Sequence, residues 1–437
     1  MESTFEFLRF VQSKDLSFWD VKRLSFSLSN LSKTYSSVKL GDILTPIKNK
    51  IKKNEYNGQL PIISKISFND GKIHLRDDFK TGMDLYSLSL NDLLISNINF
   101  HQGATAINKI GDVVCSTHYQ PYSIDFFKVI PEYLILVLRN KIFLEYVSQQ
   151  KTNGIKTESN YNFIKNLEIP LPSMEKQKEL VAQYNALLNL AKDKENQAEQ
   201  MEQSIDDYLI AELGIKDNLT LANKNLFKTV EYKNLDQWGK IVNSQNFITF
   251  FDVIPFADIV TEGPFYGANI KGSNINNGCR YIRITDIKDD GSLNNDIVYP
   301  EVVDNRYLLQ ENDFLIARSG ATVGKTFLYK TSYGKCIFAG YLVRYRINSN
   351  VNPMYLLYYT QASPYKKWVK ITQRVAAQPN INGQEYLKFP FVFPPLDIQN
   401  QIVEEITLRK EQIKNLRDES EKLRLQALSN FEKEVFN

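Results

Sequence analysis

The hydrophobic pattern divides the chain into two kinds of segment. Short apolar runs of strand length alternate with turn residues over most of the chain, as at residues 60–64 and 92–96. Two longer segments instead carry apolar side chains three or four residues apart in a charged background, which predicts amphipathic helices with a solvated face. These stripes are Leu180, Tyr184, Leu187, Ala191, Ala198, Met201, Ile205 and Tyr208 in the first helix, and Ile402, Ile406, Ile413, Leu416, Leu423 and Ala427 in the second.

Neither helical stripe is apolar enough to be stable alone, and Lys194, Arg409 and Ser420 interrupt the two stripes. Two such helices in one chain can bury their stripes against each other, and a short apolar seam can also accept helices of a partner. Each helix is predicted to run for about 38 residues, and therefore for about 57 Å at 1.5 Å per residue.

The segment that leads into the first long helix occurs twice, with a short insertion in the second copy. Each half is therefore predicted to be a mixed α/β unit followed by a long helix. The strand at residues 280–284 takes the place of that at 60–64, and 313–317 that of 92–96. The matched pairs are Asn160 and Asn380, Asn162 and Asn382, Leu167 and Leu387, Pro170 and Pro390, Pro172 and Pro394, and Gln177 and Gln399.

Composition narrows the class of protein without naming a function. The 437 residues exceed one ordinary core, so two or more domains are expected. A net charge of +3 is compatible with a nucleic-acid partner but is equally typical of simple solubility. The three cysteines lie far apart, and the three histidines are scattered, so neither a disulfide framework nor a metal site is expected. With no apolar run of membrane-spanning length and no signal peptide at residues 1–4, a soluble cytoplasmic protein is expected.

Residues 318–326 resemble a phosphate-binding Walker A loop, with Gly324-Lys325-Thr326 at its end. Ser319 stands where that motif requires glycine, and the residues after Thr326 predict a strand instead of the helix that a P-loop opens. The loop can still hold a nucleic-acid phosphate through Arg318 and Lys325. The alternative is a tight hairpin whose glycines supply positive φ angles.

The counterpart of this loop in the first half is residues 97–105, in which Gly-Ala-Thr is kept while the preceding residues change in length and chemistry. One scaffold with two sets of polar side chains suits two domains that read different targets, because Asn, Gln and Arg can distinguish base edges in the major groove. The alternative is ordinary loop polarity. A further candidate surface is basic and amide-rich, and lies just before the repeated turn at Asn160 and Asn380. Lysines that merely end a helix are its equally plausible alternative.

The side chains predicted to contact DNA are Asn97, Asn99, His101, Gln102, Lys151, Lys156, Arg283, Arg318, Ser319, Lys325, Lys366, Lys367 and Arg374. No complete catalytic motif, dinucleotide fingerprint or Asn-Pro-Pro-aromatic methyltransferase loop is present in the sequence.

The whole pattern resembles the specificity subunit of Type I restriction-modification systems. The resemblance is carried by Ile-Pro-Leu-Pro-Ser-Met-Glu-Lys-Gln at residues 169–177 and Phe-Pro-Pro-Leu-Asp-Ile-Gln at 393–399, each opening a long helix, and by Leu-Gly-Asp-Ile at 40–43. That last string is degraded to Phe-Ala-Asp-Ile at 256–259, and a tryptophan precedes each copy, as Trp19 and Trp238.

The resemblance implies two target-recognition domains, each reading one half of a split site in double-stranded DNA. It implies antiparallel helices that set an unread spacer and dock the modification subunits, two per chain, which bind S-adenosylmethionine and methylate adenine. Restriction subunits would complete the assembly, and this chain would hold no cofactor or metal and perform no chemistry of its own.

The expected fold is thus α+β, with two mixed α/β recognition domains separated by two long antiparallel coiled-coil helices in an internal pseudo-two-fold repeat. The expected domains are residues 1–172, a spacer helix at 173–213, residues 214–395, and a second spacer helix at 396–437. Two alternatives remain: a coiled-coil adaptor that binds no nucleic acid, and an NTPase built on residues 320–326.

Overall fold

The computed structural model of the chain describes residues 32–150, 160–217, 247–373 and 379–437. The chain forms two compact units. The first unit contains the described residues up to Asp193 together with Glu419–Asn437, and the second contains those of Lys194–Asp418. Each unit therefore combines one globular domain with part of each long helix. The tryptophan segments predicted at Trp19 and Trp238 lie outside the described residues.

The globular domain of the first unit is built mainly on a four-stranded sheet and a five-stranded sheet. Its strands are β1 (Ser37–Lys39), β2 (Leu44–Pro46), β3 (Lys50–Ile51), β4 (Ile62–Ile66), β5 (Ile73–Leu75), β6 (Leu85–Leu88), β7 (Leu93–Ser96), β8 (Thr105–Ile107), β9 (Val113–Ser116), β10 (Tyr119–Ile124) and β11 (Glu168–Pro170). The four-stranded sheet has the order β2-β10-β7-β8, and the five-stranded sheet has the order β3-β6-β9-β4-β5. Helices α1 (Pro131–Leu138), α2 (Lys141–Gln150) and α3 (Tyr161–Ile164) complete the domain.

Strand β7 shows why these residues form a core. All four of its residues are buried, because β10 and β8 flank it and both of its faces are covered. Its continuous apolar run is typical of such an interior strand. Helix α1 begins at Pro131, whose fixed φ suits the first helical turn. Its buried Tyr133 donates a hydrogen bond of 2.8 Å to the carbonyl oxygen of Pro170, which ties the helix to β11.

The second globular domain has its own set of elements between the two long helices. Its helices are α5 (Pro353–Tyr359), α6 (Ser363–Thr372) and α7 (Gly383–Tyr386). Its strands are β12 (Lys216–Asp217), β13 (Phe247–Ile248), β14 (Asp252–Pro255), β15 (Val260–Tyr266), β16 (Gly272–Ser273), β17 (Arg280–Ile282), β18 (Tyr299–Pro300), β19 (Phe314–Ala317), β20 (Thr326–Leu328), β21 (Cys336–Phe338), β22 (Leu342–Ile347) and β23 (Pro390–Phe393).

The second domain repeats the strand pairing of the first. Its four-stranded sheet has the order β15-β22-β19-β20, which corresponds element by element to β2-β10-β7-β8. The antiparallel pair β14–β23 corresponds to β1–β11, and the parallel pair β17–β21 corresponds to β4–β9. The predicted α+β fold and internal repeat are therefore confirmed at the level of topology.

Two long helices follow the globular domains, α4 (Met174–Leu213, 40 residues) and α8 (Leu396–Phe436, 41 residues). In the first unit the beginning of α4 packs on the end of α8, where the rings of Tyr184 and Phe431 lie 6.1 Å apart. In the second unit the end of α4 packs on the beginning of α8, where the Arg409 guanidinium lies 4.4 Å from the Tyr208 ring centre. The helices thus form the antiparallel pair that was predicted.

The apolar stripes lie in the seams of this pair. Leu180, Ala191, Ala198, Ile402, Ile406, Ile413 and Ala427 are buried, and Tyr184, Leu187, Met201, Ile205, Leu416 and Leu423 are half-buried.

Two of the three polar interruptions, Ser420 and Arg409, form hydrogen bonds between the two helices. The buried Ser420 donates a hydrogen bond of 2.8 Å to the carbonyl oxygen of Ala191 in the first unit. In the second unit Arg409 donates one of 3.3 Å to the carbonyl oxygen of Ser204. A buried polar group is stable only where it finds its partner. These contacts therefore favour one register of the helix pair.

A buried glutamine in the first turn of each long helix attaches that helix to its globular domain. Gln177 accepts a hydrogen bond from the backbone nitrogen of Ile130 at 2.9 Å and donates to the carbonyl oxygens of Lys128 and Pro172. Gln399 repeats this arrangement in the second unit, with Asn352 as its donor. Both side chains are fully buried, which explains why this residue occurs at the same place in both repeats.

Replacing Gln177 by Leu is expected to destabilise the first unit by about 1–3 kcal/mol, because the half-buried Ile130 amide loses its acceptor and the carbonyl oxygens of Lys128 and Pro172 lose their donor. Urea unfolding of the whole chain measures this loss. The matched control is Gln197→Leu on an exposed position of the same helix, which is expected to change stability by less than about 0.5 kcal/mol. Equal effects at the two positions would show that the buried amide does not attach the helix.

Candidate nucleic-acid interface

In each globular domain a loop of the same length joins the two strands at one edge of the four-stranded sheet. Residues 97–104 join β7 to β8, and residues 318–325 join β19 to β20. The strand register is also the same, because Thr105 and Thr326 pair with the third residue of the preceding strand in each case. The two loops can therefore be compared position by position.

Asn97 and Arg318 occupy equivalent positions at the start of these loops. The backbone nitrogen of Asn97 donates to the carbonyl oxygen of His118 at 2.9 Å, and that of Arg318 donates to the carbonyl oxygen of Tyr341 at 3.0 Å. His118 and Tyr341 each precede the neighbouring strand, β10 or β22. The same backbone thus presents Asn97 and His118 in one domain, and Arg318 and Tyr341 in the other.

The predicted equivalence of the two Gly-Ala-Thr strings is wrong, as is the predicted difference in loop length. The register aligns residues 103–105 with 324–326, not with Gly320–Thr322. Gly103 and Gly324 both have left-handed φ angles, 88° and 86°, because each reverses the chain immediately before the second strand. Matching the two loops by identical letters gave the wrong pairing, because what the loops share is a backbone conformation.

The segment that resembles a P-loop has a different geometry. Gly320–Thr322 forms a single 3-10 turn, and Thr326 then begins strand β20, as the sequence predicted. A P-loop instead opens a helix whose first turn contributes to the phosphate site. Gly320 and Gly324 supply positive φ angles of 76° and 86°, so the hairpin interpretation of these glycines is confirmed.

Arg318 lies against two partly exposed tyrosines. The central carbon of its guanidinium is 5.0 Å from the Tyr266 ring centre and 6.0 Å from that of Tyr341, distances typical of cation–π contacts. Tyr266 is 41% exposed and Tyr341 is 54% exposed. The Nε atom of Arg318 is buried and has no hydrogen-bond partner among the described residues. The arginine is thus held against these two rings, with its Nε side turned inward.

Residues 379–383 support this cluster from one side. The backbone nitrogen of Ile381 donates to the carbonyl oxygen of Arg318 at 3.0 Å, and that of Gly383 donates to the Tyr266 hydroxyl at 3.1 Å. The Oδ1 atom of Asn380, which belongs to the repeated turn, is buried without a hydrogen-bond partner in the described part of the chain. The repeated turn therefore lies beside the loop, a proximity that the linear sequence does not show.

The other predicted contacts of the second domain are engaged elsewhere in the protein. The Lys325 ammonium lies 2.9 Å from Asp289. Arg283 binds the buried Asp286 at 2.7 Å and Asp296 at 3.0 Å, and the hydrogen bond with Asp286 raises the pKa of the guanidinium. Ser319 is buried and its backbone bridges Asn380. The structure thus does not bring Arg283 or the charged end of Lys325 to the Arg318 cluster.

In the first domain the predicted polar residues share one loop but differ in exposure. The Asn97 side chain donates to the carbonyl oxygen of Thr117 at 3.0 Å, which fixes its amide plane. The Asn99 backbone nitrogen donates to the Ser96 hydroxyl at 3.1 Å. His101 is half-buried and Gln102 is exposed.

The basic surface predicted before the second repeated turn is only partly described. Lys366 and Lys367 lie on α6, where Lys366 is exposed and Lys367 is half-buried. Lys366 lines a cavity of about 630 Å³, together with Glu202, Asp206 and Lys410. Burial lowers the pKa of the Lys410 ammonium. Three further predicted contacts lie outside the described residues: Lys151, Lys156 and Arg374.

A family model for the Type I restriction modification DNA specificity domain matches residues 32–200 and 259–424, once for each half of the chain. The chain belongs to this family. Its two matched regions correspond to the two repeats, and the family is one of DNA-recognition subunits. No curated protein gave a significant match to the chain.

Three solved structures match nearly the whole chain, and the first of them shows a similar fold. A chain from work on complex assembly and conformational transition of the type I R-M system is 15% identical, with a TM-score of 0.59, and the match covers 92% of this chain and 97% of that one. The HsdS subunit of Thermoanaerobacter tengcongensis is 16% identical, with a TM-score of 0.48 over 93% and 97% of the two chains. The S subunit of M. genitalium is 12% identical, with a TM-score of 0.42 over 94% and 98%.

Two features are absent from the described part of the chain. Among the described residues, no helix combines the length and apolarity needed to cross a membrane. Within the same ranges, no group of three or more His, Cys, Asp or Glu residues is arranged to hold a metal ion.

Sequence reasoning missed Tyr266 and Tyr341, the two residues that hold the Arg318 side chain. Tyr341 immediately precedes β22, and Tyr266 ends β15, which pairs with β22. A signal was present, since β15 ends in a tyrosine and another tyrosine directly precedes β22, both at the ends nearest the loop. It could be used only once the strand order was known.

Proposed function

We propose that this family member is the subunit that selects the DNA target of a Type I restriction-modification complex, each globular domain reading one half of a bipartite site. The observation that carries the proposal is the pair of equivalent loops. They share length and register, yet one begins with Asn97 and the other with Arg318. Side chains of these two types distinguish base edges in the major groove.

In this proposal the antiparallel helices α4 and α8 set the unread spacer and dock two modification subunits, and restriction subunits join the full assembly. Some apolar side chains remain on the outer faces of the helices and suit such docking. Leu190 and Leu425 are 52% and 60% exposed in the first unit, and Leu408 is 50% exposed in the second. Methyl transfer and cleavage would belong to the partner subunits, and this chain would need no cofactor.

The direct test is to produce the chain with its modification subunits and to map methylated adenines on plasmid DNA. A split motif with a fixed spacer is expected, and it should disappear when this chain is omitted. An adaptor that does not contact DNA would instead leave the motif unchanged. Binding of the assembled complex to duplexes with and without the mapped site gives an independent readout, because an adaptor would show no preference between them.

Charge reversal of Arg318, as Arg318→Glu, is expected to weaken binding of the assembled complex to its target about tenfold or more, because a cation at the DNA surface becomes an anion. Fluorescence anisotropy with a labelled duplex measures the change. The matched control is Arg306→Glu, at an exposed arginine of the same domain that already pairs with Asp304 at 2.7 Å. If Arg318→Glu and the wild type bound DNA with equal affinity, the loop at residues 318–325 would not contact DNA.

A further inference from the structure

Arg318 differs from the other described arginines of the second globular domain in its bonding. Each of the others donates to a carboxylate or carbonyl oxygen of the protein, whereas no described acceptor contacts the guanidinium of Arg318. The arginines with such protein acceptors are Arg280, Arg283, Arg306, Arg344 and Arg346. An arginine held in place without an acceptor is a donor prepared for a ligand.

The contacts of Arg318 define which edge of its guanidinium is left for that ligand. The cation–π contact with Tyr266 holds the guanidinium in place, and the buried Nε turns one edge of it into the protein. The two Nη groups at the opposite end form a planar fork with fixed spacing. Because the tyrosine is itself anchored by Gly383, the fork is oriented before a ligand arrives.

The loop around Arg318 is a poor cradle for a phosphate. A phosphate site of this type collects free backbone N–H groups or several cations. Here the backbone nitrogens of Gly320, Gly324 and Lys325 all donate to carbonyl oxygens of the protein. The nearby ammonium of Lys325 is held by Asp289. What remains is a single planar fork between partly exposed aromatic rings.

We propose that Arg318 recognises a guanine in the half-site read by the second domain, with its two Nη groups donating to O6 and N7 of that base. This inference rests on the proposed function and specifies one base of the half-site that the second domain reads. Guanine is the base whose major-groove edge offers two adjacent acceptors, and arginine is its commonest specific partner. The equivalent Asn97 lacks such a cationic fork, so this guanine contact belongs to one half-site only.

The experiment uses the whole chain assembled with its modification subunits, as the wild type and as Arg318→Lys, Arg318→Gln and the control Arg306→Gln. Adenine methylation is mapped on a plasmid library in which every position of both half-sites is varied. In the wild type and the control, one position of one half-site is expected to require guanine by roughly tenfold to hundredfold. Both Arg318 variants are expected to reduce that preference to about twofold or less, with the other positions and the spacer unchanged.

Different results separate the inference from its alternatives. If Arg318→Lys kept the full preference while Arg318→Gln lowered methylation of all sites equally, with a shallower salt dependence of binding, Arg318 would be a phosphate contact. A wild-type motif without a required guanine, or one that neither variant changes, would also overturn the guanine contact. Should Arg318→Gln fail to assemble, Arg318→Lys, which keeps the charge and most of the stem, still decides the question. A wild-type complex that methylates without sequence preference would instead refute the proposed function itself.

Discussion

Removal of one heptad from each long helix is expected to shorten the unread spacer of the DNA target by about three base pairs and to leave both half-sites unchanged. Seven helical residues span about 10.5 Å, and consecutive base pairs are about 3.4 Å apart. The effect on target choice is large, because a complex that requires a shorter spacer recognises a different set of sites in any genome. The prediction follows from the proposal that the helices act as a ruler.

The deletion must remove segments that face each other, so that the remaining seam stays in register. Residues 192–198 of α4 and 414–420 of α8 meet this condition. Arg417 pairs with Glu195, and Ser420 donates to the Ala191 carbonyl oxygen. After both deletions the apolar positions Ala191 and Ile413 still continue their stripes, because each stripe repeats at seven residues across the deleted segment.

Mapping methylated adenines with the doubly deleted chain measures the new spacer. The control is the chain with only residues 192–198 deleted, which shifts every later stripe position of α4 against an unchanged α8. That chain is expected to lose stability and assembly, not to shift the spacer. If the doubly deleted chain assembled and still recognised the wild-type spacer, the hypothesis that helix length sets the spacer would be wrong.

Replacement of Asp313 by Ala is expected to destabilise the second unit by about 1–3 kcal/mol, since Arg346 and the Gln310 amide lose a buried acceptor and both arginines keep only the half-exposed Glu262 as a partner. Asp313 is 1% exposed. Its carboxylate accepts from Arg346 at 2.8 Å and from the backbone nitrogen of Gln310 at 2.8 Å, and Arg344 lies 3.9 Å away. Because these contacts fix β19 against β22, the loop that carries Arg318 depends on them.

Thermal or urea unfolding of the whole chain measures this loss. Asp304→Ala provides the matched control, because it also removes an aspartate that pairs with an arginine, Arg306, but on the surface. Exposed pairs contribute little, so a much smaller loss than for Asp313→Ala is expected there. If the two replacements had the same effect, the buried network would not be what holds the sheet together.

The strands, the turns and the two long helices follow from local features of the sequence, and the structure bears these predictions out. Short apolar runs between turn residues predicted the strands, and apolar spacing of three or four predicted α4 and α8 close to their observed bounds. The repeated Asn, Pro and Gln positions predicted two similar halves. Such features are readable because each depends on neighbours along the chain.

The candidate site was only partly predictable, because its members come from distant positions. Arg318 was identified from its loop, but Tyr266 and Tyr341 were not, since they reach it only through the pairing of β15, β22 and β19. Arg283 has the right chemistry for DNA, but Asp286 and Asp296 already bind it. The sequence shows that a residue is charged, but it does not show whether an oppositely charged side chain of the fold already pairs with that residue.

The sequence by itself determined the duplication, the element types and the family of this protein, because these are encoded by residue spacing and by short repeated strings. Only the tertiary structure decided which loop positions correspond, since Gly103 matches Gly324 by φ angle and strand register and not by the letters around it. It also decided which cations remain available to a ligand. Availability is a property of three-dimensional neighbours, and for Arg318 those neighbours are aromatic rings instead of carboxylates.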